Sequence, residues 1–178
     1  MTSLFSKLFS RKDAALDDAE LIYNHLMNQA RQTSFYGEGK VADNYDGRID
    51  LLTLHIAPIM HRLQSLGPQG ELLSQGLYDV MRDDFEIALR EEGLSDTGVK
   101  KRIKPIMNLF FTQVKAYANQ LDKNESLSPA FKSSLLEDSG TTFAASLSDY
   151  ITRFRAELEG KTLGQIAKAD FAFPEKPA

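Results

Sequence analysis

The chain contains no cysteine. That excludes a disulfide frame, a thiol nucleophile and any metal site built on thiolates. It contains no run near the roughly 20 apolar residues that a membrane-spanning helix needs. It also lacks a dominant charge, since 21 Lys and Arg stand against 25 Asp and Glu for a net of −4. So weak a field argues against a general nucleic-acid binder, and no specific DNA binding is expected.

Catalytic signatures are missing too. There is no phosphate-cradling Gly-x-x-x-x-Gly-Lys, no Gly-x-Gly-x-x-Gly after a strand and no His-Glu-x-x-His. The three histidines are His25, His55 and His61. His55 and His61 are six positions apart and fall on different faces of a helix. The Glu-x-x-His pairs of a carboxylate-bridged di-metal bundle do not occur. Asp83 and Asp84 are adjacent, so on a helix they diverge by about 100°. The expectation is a protein that is not an enzyme and holds no metal or cofactor.

What is present suits an all-α fold: a single-domain bundle of about six to seven helices with one long ordered loop. The chain has 178 residues, 42% hydrophobic and 26% charged, which is ordinary for one soluble domain. Residues 1–16 read as an amphipathic leader. Leu4, Phe5, Leu8 and Phe9 recur at helical spacing beside Lys7, Arg11 and Lys12. Lys7 splits the apolar stretch, so the segment is no secretory signal. It suits either a short interfacial helix facing anionic lipid or a strap on the core. Residues 17–170 form the helical domain, and 171–178 an extended tail pinned by its phenylalanines.

Within that domain the first helix is expected from a cap at Asp17 or Asp18 to about Arg31. Thr33 to Gly47 is then a loop, interrupted by Gly37 and Gly39 and closed by Asp46-Gly47. A loop of that length is uncommon unless it has work to do. Phe35, Tyr36 and Tyr45 either staple it to the core or await a partner. A second helix is expected over 48–66, apolar nearly all round and therefore central. Gly67-Pro68 separates it from an antiparallel third over 69–92. A fourth covers about 96–121, with a kink or a new start near Lys104 because Pro105 removes a donor. Ser128-Pro129 opens a short helix through Leu136, and Thr141 or Thr142 opens one through Leu158. Thr162-Leu-Gly-Gln165 fits a capping box.

Two polar patterns stand above this background. Arg48, His55 and Arg62 recur at seven and seven along the second helix. Asp79, Asp83, Glu86 and Arg90 share a face of the third. Folding the two helices back on one another places His55 level with Asp79 or Asp83, so a cross-helix polar seam is expected, the carboxylates neutralising the cations. The alternative is two solvated faces. The second pattern is a basic patch of Lys100, Lys101, Arg102 and Lys104. It suits either an exposed helix face or contact with an anionic membrane surface, ribosomal RNA or an acidic partner.

Three segments then occur in order. They are Gln29-Ala-Arg31 with Phe35-Tyr36; Asp46-Gly-Arg-Ile-Asp-Leu-Leu-Thr-Leu-His55 with Arg62-Leu63; and Gln75-Gly-Leu-Tyr-Asp79 with Asp83-Asp84, Leu89-Arg-Glu91, Gly93 and Asp96. Together they resemble the ubiquinol–cytochrome c chaperone family over about residues 20–120. Two stretches depart from the family pattern. Glu92 precedes Gly93 where the family tends to have Met, and Phe110-Phe-Thr-Gln113 stands where a Phe-Tyr-Gly-Arg-like stretch is expected.

The resemblance implies an assembly factor for ubiquinol–cytochrome c reductase. Such a protein binds newly made cytochrome b, or another nascent membrane-protein client, without catalysis. On that reading Phe35, Tyr36, Tyr45, Asp46 and Arg48 are the partner-binding candidates, since aromatics and arginine are enriched at binding hot spots. A cytoplasmic location is implied, peripheral on the inner membrane, and on the matrix side of a mitochondrion if the source is a eukaryote. A helical quinone- or lipid-binding protein, or an interaction bundle with another client, are the alternatives that the residues leave open.

Overall fold

The computed structural model describes residues 4–131, 135, 136, 138 and 141–177. Among them are six α-helices and no β-strand: α1 (Leu4–Ala30), α2 (Tyr45–Gln64), α3 (Gly67–Glu91), α4 (Asp96–Lys123), α5 (Thr142–Glu159) and α6 (Leu163–Ala167). Two single 3-10 turns, Thr33–Phe35 and Ser128–Ala130, lie between them.

The helix starts follow local chemistry. Asn44 accepts a hydrogen bond from the Gly47 N–H at the start of α2, and Ser95 accepts one from Gly98 at the start of α4. Thr141 does the same for α5, and Thr162 with Gln165 completes the expected capping box of α6. Each bond satisfies a donor that the first helical turn leaves without a partner.

α2 is the axle of the bundle and lies against α1, α3, α4 and α5. Every residue from Leu51 to Met60 is buried, which is why its apolar residues run nearly all round. α1 packs along α3 with Gly76 at their crossing. A Cβ on Gly76 would sit 3.2 Å from the Ala15 carbonyl oxygen and 3.3 Å from the Ala19 methyl. The glycine in the Gln75-Gly-Leu-Tyr-Asp79 segment therefore sets how closely two helices approach.

Three features of these elements differ from expectation. α1 begins at Leu4 rather than at an aspartate cap, because residues 4–16 include no proline or glycine to stop it. The side chains of residues 4–13 lie outside the described set, and the amphipathic leader with them. α4 runs unbroken through Pro105. That proline is exposed, so water can serve the carbonyl that loses its donor. The helix expected from Ser128 to Leu136 stops as a turn at Ala130, and Phe131 is extended. Phe131, Leu135 and Leu136 are all buried. Residues 132–134 lie outside the described set.

The tail after α6 closes the gap between α1 and α5. Phe173 packs 4.8 Å from the His25 ring and 4.9 Å from Phe154, and the Phe171 carbonyl lies 3.2 Å from His25 Nε2.

Candidate functional site

The loop between α1 and α2 is ordered by its own backbone. Tyr36 and Val41 form an isolated bridge, with the Val41 N–H donating to the Phe35 carbonyl and the Gly37 N–H to the Val41 carbonyl. Lys40 Nζ donates to the Ser34 carbonyl and lies 5.4 Å over the Phe143 ring.

Phe35 is fully buried, edge-on to His55 at 5.4 Å and to Tyr150 at 5.5 Å. It is the staple of the loop and presents nothing to a partner, which corrects its place among the binding candidates. Tyr36 is half-buried and its hydroxyl donates to the Ala30 carbonyl at 2.7 Å. Tyr45 is 38% exposed, and Asp46 and Arg48 are exposed.

The loop and two helix ends together form a cleft of about 460 Å³, lined by Arg31, Thr33, Tyr36, Gly37, Asp43 and Arg48. Arg48 Nε donates to Asp43 Oδ1 at 2.7 Å. Arg31, at the end of α1, forms no ion pair among the described residues. Burial raises the pKa of the Tyr36 phenol, and the two arginines oppose that rise while Asp43 adds to it. The fold thus brings Arg31 and Tyr36 of the first family-like segment to Arg48 of the second.

The expected polar seam does not form. His55 is fully buried and faces α5, the loop and the tail instead of α3. Its Nδ1 lies 2.8 Å from the Leu51 carbonyl and its Nε2 lies 3.0 Å from the Tyr150 hydroxyl. Gln29 Nε2 donates to that same hydroxyl at 2.9 Å. These contacts assign a relay: Gln29 donates to Tyr150, Tyr150 to His55 Nε2, and His55 Nδ1–H to the Leu51 carbonyl. Burial pushes the His55 pKa down to about 4, so the ring is neutral.

Arg62 is spent elsewhere. Its Nε donates to the Leu158 carbonyl at 3.1 Å and its Nη2 to the Lys161 carbonyl at 2.9 Å. The Leu158 carbonyl also accepts from the Lys161 N–H, so the cation adds to the bonding of the last turn of α5 and complements its negative end. The α3 groups pair along their own helix. Glu86 accepts from Arg82 and Arg90, and Asp79 from Gln75. Asp83 is exposed, and Asp84 accepts from Tyr23 of α1 at 2.7 Å. Sequence offsets placed His55 level with the aspartates along the axis, but its azimuth carries it to another neighbour.

Lys100, Lys101, Arg102 and Lys104 are all exposed on α4. Beside them Tyr45, Asp46, Ile49, Asp50, Arg102, Pro105, Ile106 and Leu109 line a groove of about 310 Å³. Asp50, Gln113 and Tyr117 were not anticipated. Asp50 is 2% exposed and accepts from Gln113 Nε2 at 2.8 Å. Burial, and then the Asp50 charge, raise the Tyr117 pKa. The available signal was one carboxylate set between Ile49 and Leu51 in a helix otherwise read as apolar. Leu109 and Phe111 stay 40% and 48% exposed, and Phe111 packs against Tyr78 at 5.0 Å. No group of three or more His, Asp or Glu among the described residues is placed to hold a metal.

Comparison with known proteins agrees with the sequence resemblance. The family model described as ubiquinol-cytochrome C chaperone matches residues 38–173. A crystal structure of a Cbp3 homolog from Brucella abortus superposes with a TM-score of 0.79 at 29% identity, covering 97% of each chain. No curated protein matches significantly.

Proposed function

Because the chain belongs to the ubiquinol–cytochrome C chaperone family, we propose that it binds newly made cytochrome b and promotes assembly of ubiquinol–cytochrome c reductase, without catalysing a reaction. The family match carries this reading. Support comes from the surface: Tyr36 and Arg48 line one cleft, Tyr45 lines the groove beside Arg102, and Leu109 and Phe111 are apolar groups left in water. A chaperone needs such a face to cover a hydrophobic client and then release it. The basic patch on α4 supports contact with an anionic membrane surface or a ribosome, where such a client is inserted. Location on the inner membrane as a peripheral protein follows from the same reading.

Removing the gene tests it. Assembled reductase is expected to fall while the cytochrome b transcript stays constant. Photo-crosslinkers at positions 36 and 45 are expected to capture cytochrome b in living cells. Normal reductase levels in the deletion would count decisively against the proposal.

A further inference from the structure

The cleft at the end of α1 holds more cationic donor capacity than its surroundings use. Arg31 forms no ion pair among the described residues. Arg48 spends Nε on Asp43, while neither its Nη1 nor its Nη2 donates a hydrogen bond to a described residue. A guanidinium presents five N–H donors, and its planar fork matches a carboxylate in two parallel bonds. Tyr36 forms a wall of the same cleft, and its hydroxyl is already committed to the Ala30 carbonyl. Its ring therefore offers surface rather than another donor.

The charge count selects the ligand. Arg31 and Arg48 against Asp43 leave one net positive charge in the cleft. A single carboxylate balances it, whereas a doubly charged phosphate would leave an excess of negative charge beside Asp43. Asp43 already occupies one edge of Arg48 as an internal carboxylate, which shows how a second would approach. The volume, about 460 Å³, exceeds what one carboxylate needs and leaves space for a neighbouring apolar side chain on Tyr36.

We infer that this cleft binds an acidic side chain of the client polypeptide, held by Arg31 and the free edge of Arg48, with a flanking apolar residue against Tyr36. This rests on the chaperone reading above. Because both arginines are exposed, the contact is salt-sensitive and sets register and encounter more than affinity.

The test uses the whole chain, labelled so that the arginine Nε–H signals are resolved by NMR. The probes are acetyl-Phe-Glu-Phe-amide, its glutamine counterpart, inorganic phosphate and phosphatidylglycerol vesicles. The glutamate peptide is expected to shift the Arg31 and Arg48 signals and to bind about threefold more tightly than the glutamine peptide, the order of gain an exposed charge pair supplies. Arg31→Gln is expected to abolish that difference without moving the melting temperature, because Arg31 has no ion pair to lose. Equal binding of the two peptides, a response to phosphate or vesicles alone, or no response at all would overturn the inference.

A second arm separates it from the chaperone reading. Cytochrome b recovered equally with the wild type and with Arg31→Gln/Arg48→Gln would overturn the cleft and leave the chaperone standing. Cytochrome b absent from the wild-type complex would sink the client assignment, and the peptide arm would then judge the cleft alone.

Discussion

Two sets of polar residues flank α2, and they live under opposite rules. Gln29, Tyr150, His55, Asp50 and Gln113 lie inside, each spent on a named partner. Arg31, Arg48, Lys100, Lys101, Arg102 and Lys104 lie outside, most with donors to spare. Inside, an unmatched polar group costs its desolvation, and these are answered by partners except at the Gln113 Oε1, which like the buried Tyr117 hydroxyl has no hydrogen-bond partner among the described residues. Outside, water answers for free, and a charge can wait for a partner. The same family-like segments supply both sets: His55 to the interior, Arg31 and Arg48 to the rim. Membership of such a segment therefore does not separate folding from binding; burial does.

The sharpest way to test this contrast is at two aromatics of one loop. Phe35→Ala empties a fully buried site and is expected to cost about 4 kcal/mol, read by urea unfolding. Tyr45→Ala, at a 38% exposed position, is expected to change stability by less than about 0.5 kcal/mol while weakening client capture. A large loss of stability from Tyr45→Ala would erase the contrast.

A smaller effect comes from pH. His55 is neutral inside with its pKa down at about 4, against an ordinary value near 6.5. The unfolded chain binds a proton in that window and the folded one does not. The His55 contribution is therefore complete above about pH 6.5 and is lost as pH falls toward 4, at a slope of at most about 1.4 kcal/mol per pH unit. Melting curves between pH 7 and 4.5 should show the slope, and His55→Gln should flatten it. An identical slope in that variant would place the titration elsewhere.

The smallest effect belongs to the basic patch. Lys101→Ala with Lys104→Ala is expected to leave the melting temperature unchanged while reducing the salt dependence of any binding to anionic vesicles.

How much of this was legible depended on whether the signal was local. Asn44, Ser95, Thr141 and Thr162 each act within four residues, and helix starts at or near them could be read directly. The ambiguity over Phe35 and Tyr36 could not be resolved from sequence, because staple and lure are made of the same residue types. The seam failed for a related reason. Spacing along α2 and α3 gives height along the bundle, whereas rotation depends on neighbours such as Tyr150 and Phe173 that are about a hundred positions away. Asp50 hid because one carboxylate in an apolar stripe reads as an exception until Gln113 is seen against it.

The crossing of the tail over the first helix has a consequence in time. His25 and Phe171 lie 146 positions apart, yet they touch. A chain still emerging during synthesis, or one cut before Phe171, leaves His25 and the flank of Phe154 bare. The last turn of the chain is thus a keystone, and until it is set the protein itself remains a sticky half-built object of the sort its family exists to protect.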